Sequence, residues 1–333
     1  MRLATGQAKA DAHRSLEGRV ALEERESDLR IGLVTTGEAR QARDLEARPL
    51  DSLWVGGHIS SRNASPEAMV GLARLAAVTE RVYVGSSILL LPLYPPALVA
   101  KQVADLDRAT GGRLILGVGV GGEYPQEFRA VEIPMEQRGG RTNEIIPLLR
   151  KFWTATEVTH RGRYYEIQDV RIHPAPVQPG GPPIVVAGRK EPSMRRAAIM
   201  GDGWFPYMYS PRRYAESVQK INTAAAQAGR NLAGFHWCAW VFLNIGPDGD
   251  VAREEAARTV GGTYMKDVRG MVDRVAAAGT AQEVTAKLQA FYDAGVRHFV
   301  FLPVTADGTQ GPVLDRLFAE VLPALRDHAA GMS

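Results

Sequence analysis

The stretch Leu114-Ile-Leu-Gly-Val-Gly-Val-Gly-Gly-Glu123 decides the fold. Its apolar start reads as a strand, and Gly117, Gly119 and Gly122 satisfy G-x-G-x-x-G, the pattern of a dinucleotide-binding strand–turn–helix. The surroundings argue against that reading. Pro125 and Pro134 break up the helix that would take a pyrophosphate on its N-terminus, and no second strand ends in an acidic residue about 20 positions on. What remains is a strand end whose glycines let the backbone approach a flat or anionic ligand. A merely tight βα turn is the plainer alternative.

Outward from this strand, short apolar runs alternate with amphipathic helices, the signature of parallel βα units. The runs Leu29–Val34, Ser52–Val55, Val82–Ser86, Leu114–Val118, Ile184–Val186, Gly203–Phe205, Phe235–Leu243 and His298–Leu302 read as eight strands. Helices are expected over Glu38–Ala47, Pro66–Thr79 (with Ser65 as N-cap), Pro96–Thr110, Gly140–Trp153, Pro192–Met200, Pro211–Ala228 and Val313–Arg326. Val158–Arg161 and Arg163–Ile167 read as a β-hairpin, and the Pro-rich run His173–Pro183 returns the chain. A doubly wound sheet is the rival, but units this regular favour closure into a (β/α)8 TIM barrel with insertions. The longest excursion, Gly246–Gly295 between strands seven and eight, has room for several helices and is a candidate lid. Residues 1–28 are charged and poor in apolar positions, so they read as a mobile N-terminal extension; residues 29–333 form the single domain.

With 333 residues, 45% hydrophobic and 23% charged, the chain suits one barrel of about 250 residues plus insertions. A net charge of +3 with arginines scattered among acids gives neither a nucleic-acid stripe nor a polybasic membrane anchor. One cysteine, Cys238, excludes an internal disulfide, and seven histidines without HExxH spacing give no metal site. Pro92, Pro95 and Pro96 interrupt the uncharged run Val82–Ala100, which is better read as strand, loop and helix than as a membrane span. The N-terminus has no signal-peptide core, so a cytoplasmic location is expected.

Candidate chemistry collects at the C-terminal ends of the strands, where barrel enzymes place their ligands. His58, just past strand two, can exchange protons near neutral pH, although a lone histidine is more often structural. Gly188, Arg189 and Lys190 before a helix start make a phosphate cradle or, more plainly, a solvated basic turn. Trp204, Tyr207, Met208 and Tyr209 either line an apolar pocket or cap the barrel. Trp237 and Trp240 read as packing residues.

Taken together, these segments resemble the bacterial-luciferase-like family of flavin-dependent monooxygenases and deazaflavin (coenzyme F420)-dependent oxidoreductases. The resemblance runs from about Leu29 to Arg326. It rests on Asp51-Ser-Leu-Trp-Val-Gly-Gly-His58, Gly85-Ser-Ser-Ile-Leu-Leu-Leu-Pro92, Ala100-Lys-Gln-Val-Ala-Asp-Leu-Asp107, Gly111–Gly121, Arg138-Gly-Gly-Arg141, Pro183-Ile-Val-Val-Ala-Gly188 and Gly201-Asp-Gly-Trp204. It implies that His58 is the acid or base near the reactive ring, and that Ser87 and Ile88 flank a cis peptide behind it. It also implies cofactor contacts from Val120, Gly121, Glu123, Val186, Ala187, Gly188 and Arg189, and a substrate pocket near Trp204, Tyr207 and Tyr209. The implied cofactor is F420 or FMN. Gly57 stands where relatives are often acidic, and Val120 where FMN users often carry a phosphate-gripping arginine, which tilts the reading towards F420.

The expected activity is hydride transfer between the reduced cofactor and a small organic substrate. The alternative is a two-component monooxygenase fed reduced FMN by a separate reductase. A non-catalytic flavin binder or a cofactor-free hydrolase is a more distant option, since no nucleophile or metal constellation stands at the strand ends. Proteins of this kind are commonly homodimers.

Overall fold

A computed structural model describes residues 28–61, 65–264 and 269–332. The proposed mobile extension, except Asp28, lies outside the described residues. In chain order the elements begin with β1 (Arg30–Thr35), α1 (Ala39–Glu46), β2 (Ser52–Val55), α2 (Ala68–Val78), β3 (Tyr83–Ser86), the short β4 (Leu89–Leu90), α3 (Pro96–Ala109) and β5 (Leu114–Gly119). They continue with α4 (Pro125–Ala130), α5 (Arg138–Thr154), the hairpin β6 (Val158–Arg161) and β7 (Glu166–Val170), β8 (Ile184–Ala187), α6 (Glu191–Met200), β9 (Gly203–Phe205) and α7 (Pro211–Gln227). Last come β10 (His236–Ile245), α8 (Gly249–Tyr264), α9 (Arg269–Val275), β11 (Ala276–Gly279), α10 (Ala281–Asp293), β12 (His298–Pro303), α11 (Gly311–Arg316) and α12 (Leu322–Ala330).

Parallel pairing runs β1–β2–β3–β5–β8–β9–β10–β12 and returns to β1, so eight strands close into a barrel. Alternation along each strand sorts its side chains into two layers. Ile31, Leu33, Leu53, Leu116, Val186, Val241, Phe299 and Phe301 pack outwards against the helices. Trp54, Ile115, Val185, Ala187, Phe205, Cys238 and Val300 fill the barrel, with Val34, Ile88 and Trp240 packed against them.

Several local expectations change. The cap of α2 is Glu67, whose Oε2 accepts the Val70 amide at 2.8 Å, rather than Ser65, because Glu67 takes the extended backbone a cap needs. Pro125 opens the six-residue α4 instead of breaking a helix, since its fixed φ suits a first helical position. The excursion between the last two barrel strands is not purely helical. Its β11 runs parallel to Phe242–Ile245 of β10, while α8 and α9 pack Val260 and Val272 against Met208, Phe242 and Val304. The described part of the excursion is therefore anchored in the sheet, contrary to a lid hinging as a whole. A π-turn over Leu317–Val321 divides the single closing helix expected at the C-terminus. No described helix is long and apolar enough to cross a membrane, and no metal-ligating cluster occurs among the described residues.

Candidate active site

The glycines of β5 make room for β3. A Cβ on Gly117 would run into the Ser86 carbonyl, and one on Gly119 into the Ile88 side chain. Ser86 Oγ in turn donates to the Gly117 carbonyl at 2.7 Å. The motif that imitates a pyrophosphate turn thus lets two strand ends nest, and the Ser87–Ile88 peptide between them is cis. The hydroxyl of Ser87 is buried with no hydrogen-bond partner among the described residues.

Across this floor stands His58, in the loop after β2. Its Nδ1 lies 3.2 Å from both carboxylate oxygens of Glu127. Glu127 comes from α4, and its side chain is 1% exposed against 27% for His58. The same carboxylate accepts the backbone N–H of Ile59 at 2.7 Å and of Ser60 at 3.3 Å. A carboxylate can only accept, so it holds the proton of neutral His58 on Nδ1 and leaves Nε2 as the basic atom. The Tyr124 ring meets the imidazole edge-on at 5.0 Å. Nearby, Tyr94 donates its hydroxyl to the cap residue Glu67. Burial first, then Glu67, pushes the Tyr94 phenol far above its ordinary range, so it stays a donor.

The wall after β8 and β9 is polar at its rim. Gly188 adopts φ 131°, and a Cβ there would lie 2.6 Å from Ser193 Oγ, which fits only glycine. Arg189 lies over the Tyr207 ring at 4.4 Å. Tyr207 donates to Glu123, joining the β5 and β9 loops across the mouth. Burial, and then the Glu123 carboxylate, keep this phenol protonated well above its usual pKa. Trp240 packs edge-on to Tyr207 and Phe242, and its buried Nε1–H has no partner among the described residues.

The structure therefore brings His58, Ser87, Ile88, Val120, Gly121, Glu123, Ala187, Gly188, Arg189 and Tyr207 to one end of the barrel. It sets two of the expected residues apart. Trp204 is fully buried between β9 and α7, packing on Tyr209 and Tyr214, with its Nε1 donating to the Gly188 carbonyl at 3.0 Å. Tyr209 donates to the Arg189 carbonyl at 3.2 Å. Both stand behind the pocket and hold its backbone. Val186, expected to contribute through its backbone, turns its side chain outwards to the helix layer. Glu127, Tyr124 and Trp240 are site residues that sequence reading missed or assigned to packing. The one available signal for Glu127 was a carboxylate in the first turn of a helix opened by Pro125.

A sequence model of the family described as luciferase-like monooxygenase matches residues 24–270. The chain belongs to this luciferase-like family. An uncharacterised protein of Mycobacterium tuberculosis is 35% identical over 164 residues, 49% of this chain. The match spans 56%, about half, of that relative's own length. An F420-dependent glucose-6-phosphate dehydrogenase of Beutenbergia cavernae is 29% identical over 90% of this chain and 98% of its own length. Among solved structures, the fold is shared with an F420-dependent secondary alcohol dehydrogenase in complex with an F420-acetone adduct. That structure has TM-score 0.77 and 22% identity, covering 90% of this chain and 99% of its own. The monooxygenase RslO1 of Streptomyces bottropensis has TM-score 0.76 and 22% identity, over 89% and 99%. Family match and shared fold agree on a luciferase-like barrel.

Proposed function

We propose that this chain binds coenzyme F420 at the C-terminal mouth of the barrel and transfers hydride between it and a small organic substrate. The observation that carries this reading is the His58–Glu127 pair beside the Ser87–Ile88 peptide: a proton-exchanging group fixed in one tautomer at the edge of a preformed floor. The near full-length match to relatives named F420-dependent dehydrogenases supports the choice of cofactor. Val120, where an arginine would favour FMN, supports it as well.

The residues present suit such a group. Ile88, Ala187 and Phe205 give an apolar floor, the unpartnered Ser87 hydroxyl offers a polar contact, and the cation Arg189 follows the Gly188 turn. Ser87, Ile88, Val120, Gly121 and Ala187–Arg189 would hold the cofactor, which when bound supplies the hydride chemistry. The chain's own part is orientation and proton handling. Glu127 keeps His58 Nδ1 protonated, so Nε2 can take a proton from a substrate hydroxyl, or return one in the reverse direction. The imidazolium formed is stabilised by the buried carboxylate beside it. Met208, Phe242 and Val304 pack with α8 and α9 into an apolar cluster that backs Tyr207 and Trp240.

An anaerobic assay of F420 reduction by a panel of alcohols, and of reduced-F420 oxidation by the corresponding carbonyl compounds, tests this. Turnover lost in His58→Ala supports the proposal. Turnover only with reduced FMN and oxygen would overturn it in favour of a two-component monooxygenase.

A further inference from the structure

The opposite, N-terminal end of the barrel holds a cleft of about 750 Å³, within the usual range for small-molecule sites. Arg30, Arg230, Arg297, His236 and His298 line it, along with Asp28 and the apolar rings of Phe235 and Trp237. Its charges are unevenly committed. Asp28 is occupied by Arg297 Nε at 2.7 Å and Tyr292 at 2.8 Å. Arg230 donates to the carbonyls of Ala198 and Gly201, both at 2.9 Å.

Arg30 shares the inward face of β1 with Gly32 and Val34, yet its guanidinium has no carboxylate or carbonyl partner among the described residues. It lies over the Tyr83 ring face at 5.5 Å. An inward arginine on a barrel strand, normally a place for branched apolar residues, asks for an anion.

The adjacent histidine points the same way. Ser52 Oγ accepts from Trp54 Nε1 at 2.7 Å and lies 2.7 Å from His298 Nε2. The indole can only donate, and Ser52 Oγ has no other acceptor among the described residues. The arrangement that satisfies the hydroxyl therefore sends its proton to His298 Nε2 and leaves the histidine proton on Nδ1. That Nδ1 is buried and has no partner. Burial, then the charge of Arg30, keeps His298 neutral, so it contributes a donor without adding charge. Two donors without acceptors thus meet at the inner end of one cleft.

We propose that this end of the barrel is a second ligand site, which takes the phosphate or carboxylate head of a small molecule on Arg30, with His298 Nδ1–H behind it. The rings of Phe235 and Trp237, 4.7 Å apart, give the body of such a ligand an apolar wall. The site lies at the far end of the barrel from His58 and does not depend on the redox reading.

Titrating the full chain with phenyl phosphate, and separately with inorganic phosphate, followed by heat and by ¹⁵N imidazole spectra, tests the proposal. Saturable binding is expected, with a shift of the His298 Nδ1 resonance, an affinity loss of about tenfold or more in Arg30→Met, and partial retention in Arg30→Lys. His58→Ala should leave it intact. No His298 shift in the wild type overturns the proposal, whether or not the variants fold. So does binding that survives Arg30→Met or disappears in His58→Ala, which would place the anion in the mouth.

Discussion

Replacing Glu127 by glutamine tests the core of the active-site reading, because it keeps the shape and changes only what the group can accept. Three donors converge on this buried carboxylate: the Ile59 amide at 2.7 Å, the Ser60 amide at 3.3 Å and His58 Nδ1 at 3.2 Å. Hydrogen bonds to a charged group stabilise by about 1.5–3 kcal/mol each, neutral ones by about 1. Glutamine can still accept the Ile59 amide, so the fold should lose only about 1–2 kcal/mol. Alanine, which leaves the donors buried and unpaired, should cost about 3–5 kcal/mol. The larger effect of glutamine falls on His58. The carboxamide can present an N–H to the imidazole, which makes Nδ1 an acceptor and moves the proton to Nε2. The base is then blocked, and turnover should fall by about 10²–10⁴-fold, the usual contribution of a positioned general base. Long-range ¹H–¹⁵N spectra of the ring report the tautomer directly and need no substrate. A wild-type His58 carrying its proton on Nε2, or a ring unchanged by Glu127→Gln, would refute the reasoning.

Three further outcomes follow from the geometry. Gly117→Ala should destabilise the barrel by about 1–3 kcal/mol, since its Cβ meets the Ser86 backbone carbonyl rather than a movable side chain, and cofactor affinity should fall with it; unchanged melting and binding would contradict this. Burial, aided by Arg30, lowers the His236 pKa from 6.5 to about 4. The unfolded chain thus binds this proton first, and stability present above pH 6.5 declines towards pH 4 by as much as about 3 kcal/mol. Denaturant midpoints in His236→Gln should show a weaker decline over that window. Trp240→Phe removes a buried N–H without a partner, so it should leave the apoprotein equally or slightly more stable. A loss of several kcal/mol by denaturant unfolding would reveal a partner for the indole.

The barrel was legible because its strands are long apolar runs set between amphipathic helices, a pattern carried locally by the chain. β11 was not, because Ala276-Ala-Ala-Gly279 has no β-branched or aromatic residue and is a strand only through its pairing with β10. His58 could be found from its place after β2, whereas Glu127 reaches it across 69 positions by tertiary packing alone. The cluster after β9 was read as one group. Alternation at the strand's end separates it: Trp204 turns to the helix layer, while Tyr207 turns to the mouth. Arg30 carries no sequence signal at all, since only closure of the barrel shows that it faces inwards.

The most direct test of the central claim is a titration of the purified apoprotein with F420 and with FMN, each oxidised and reduced, followed by fluorescence and heat. Saturable binding of F420, weakened by Gly188→Ala and much tighter than that of FMN, is the predicted result. Preference for reduced FMN, or binding of neither cofactor by folded protein, would contradict it.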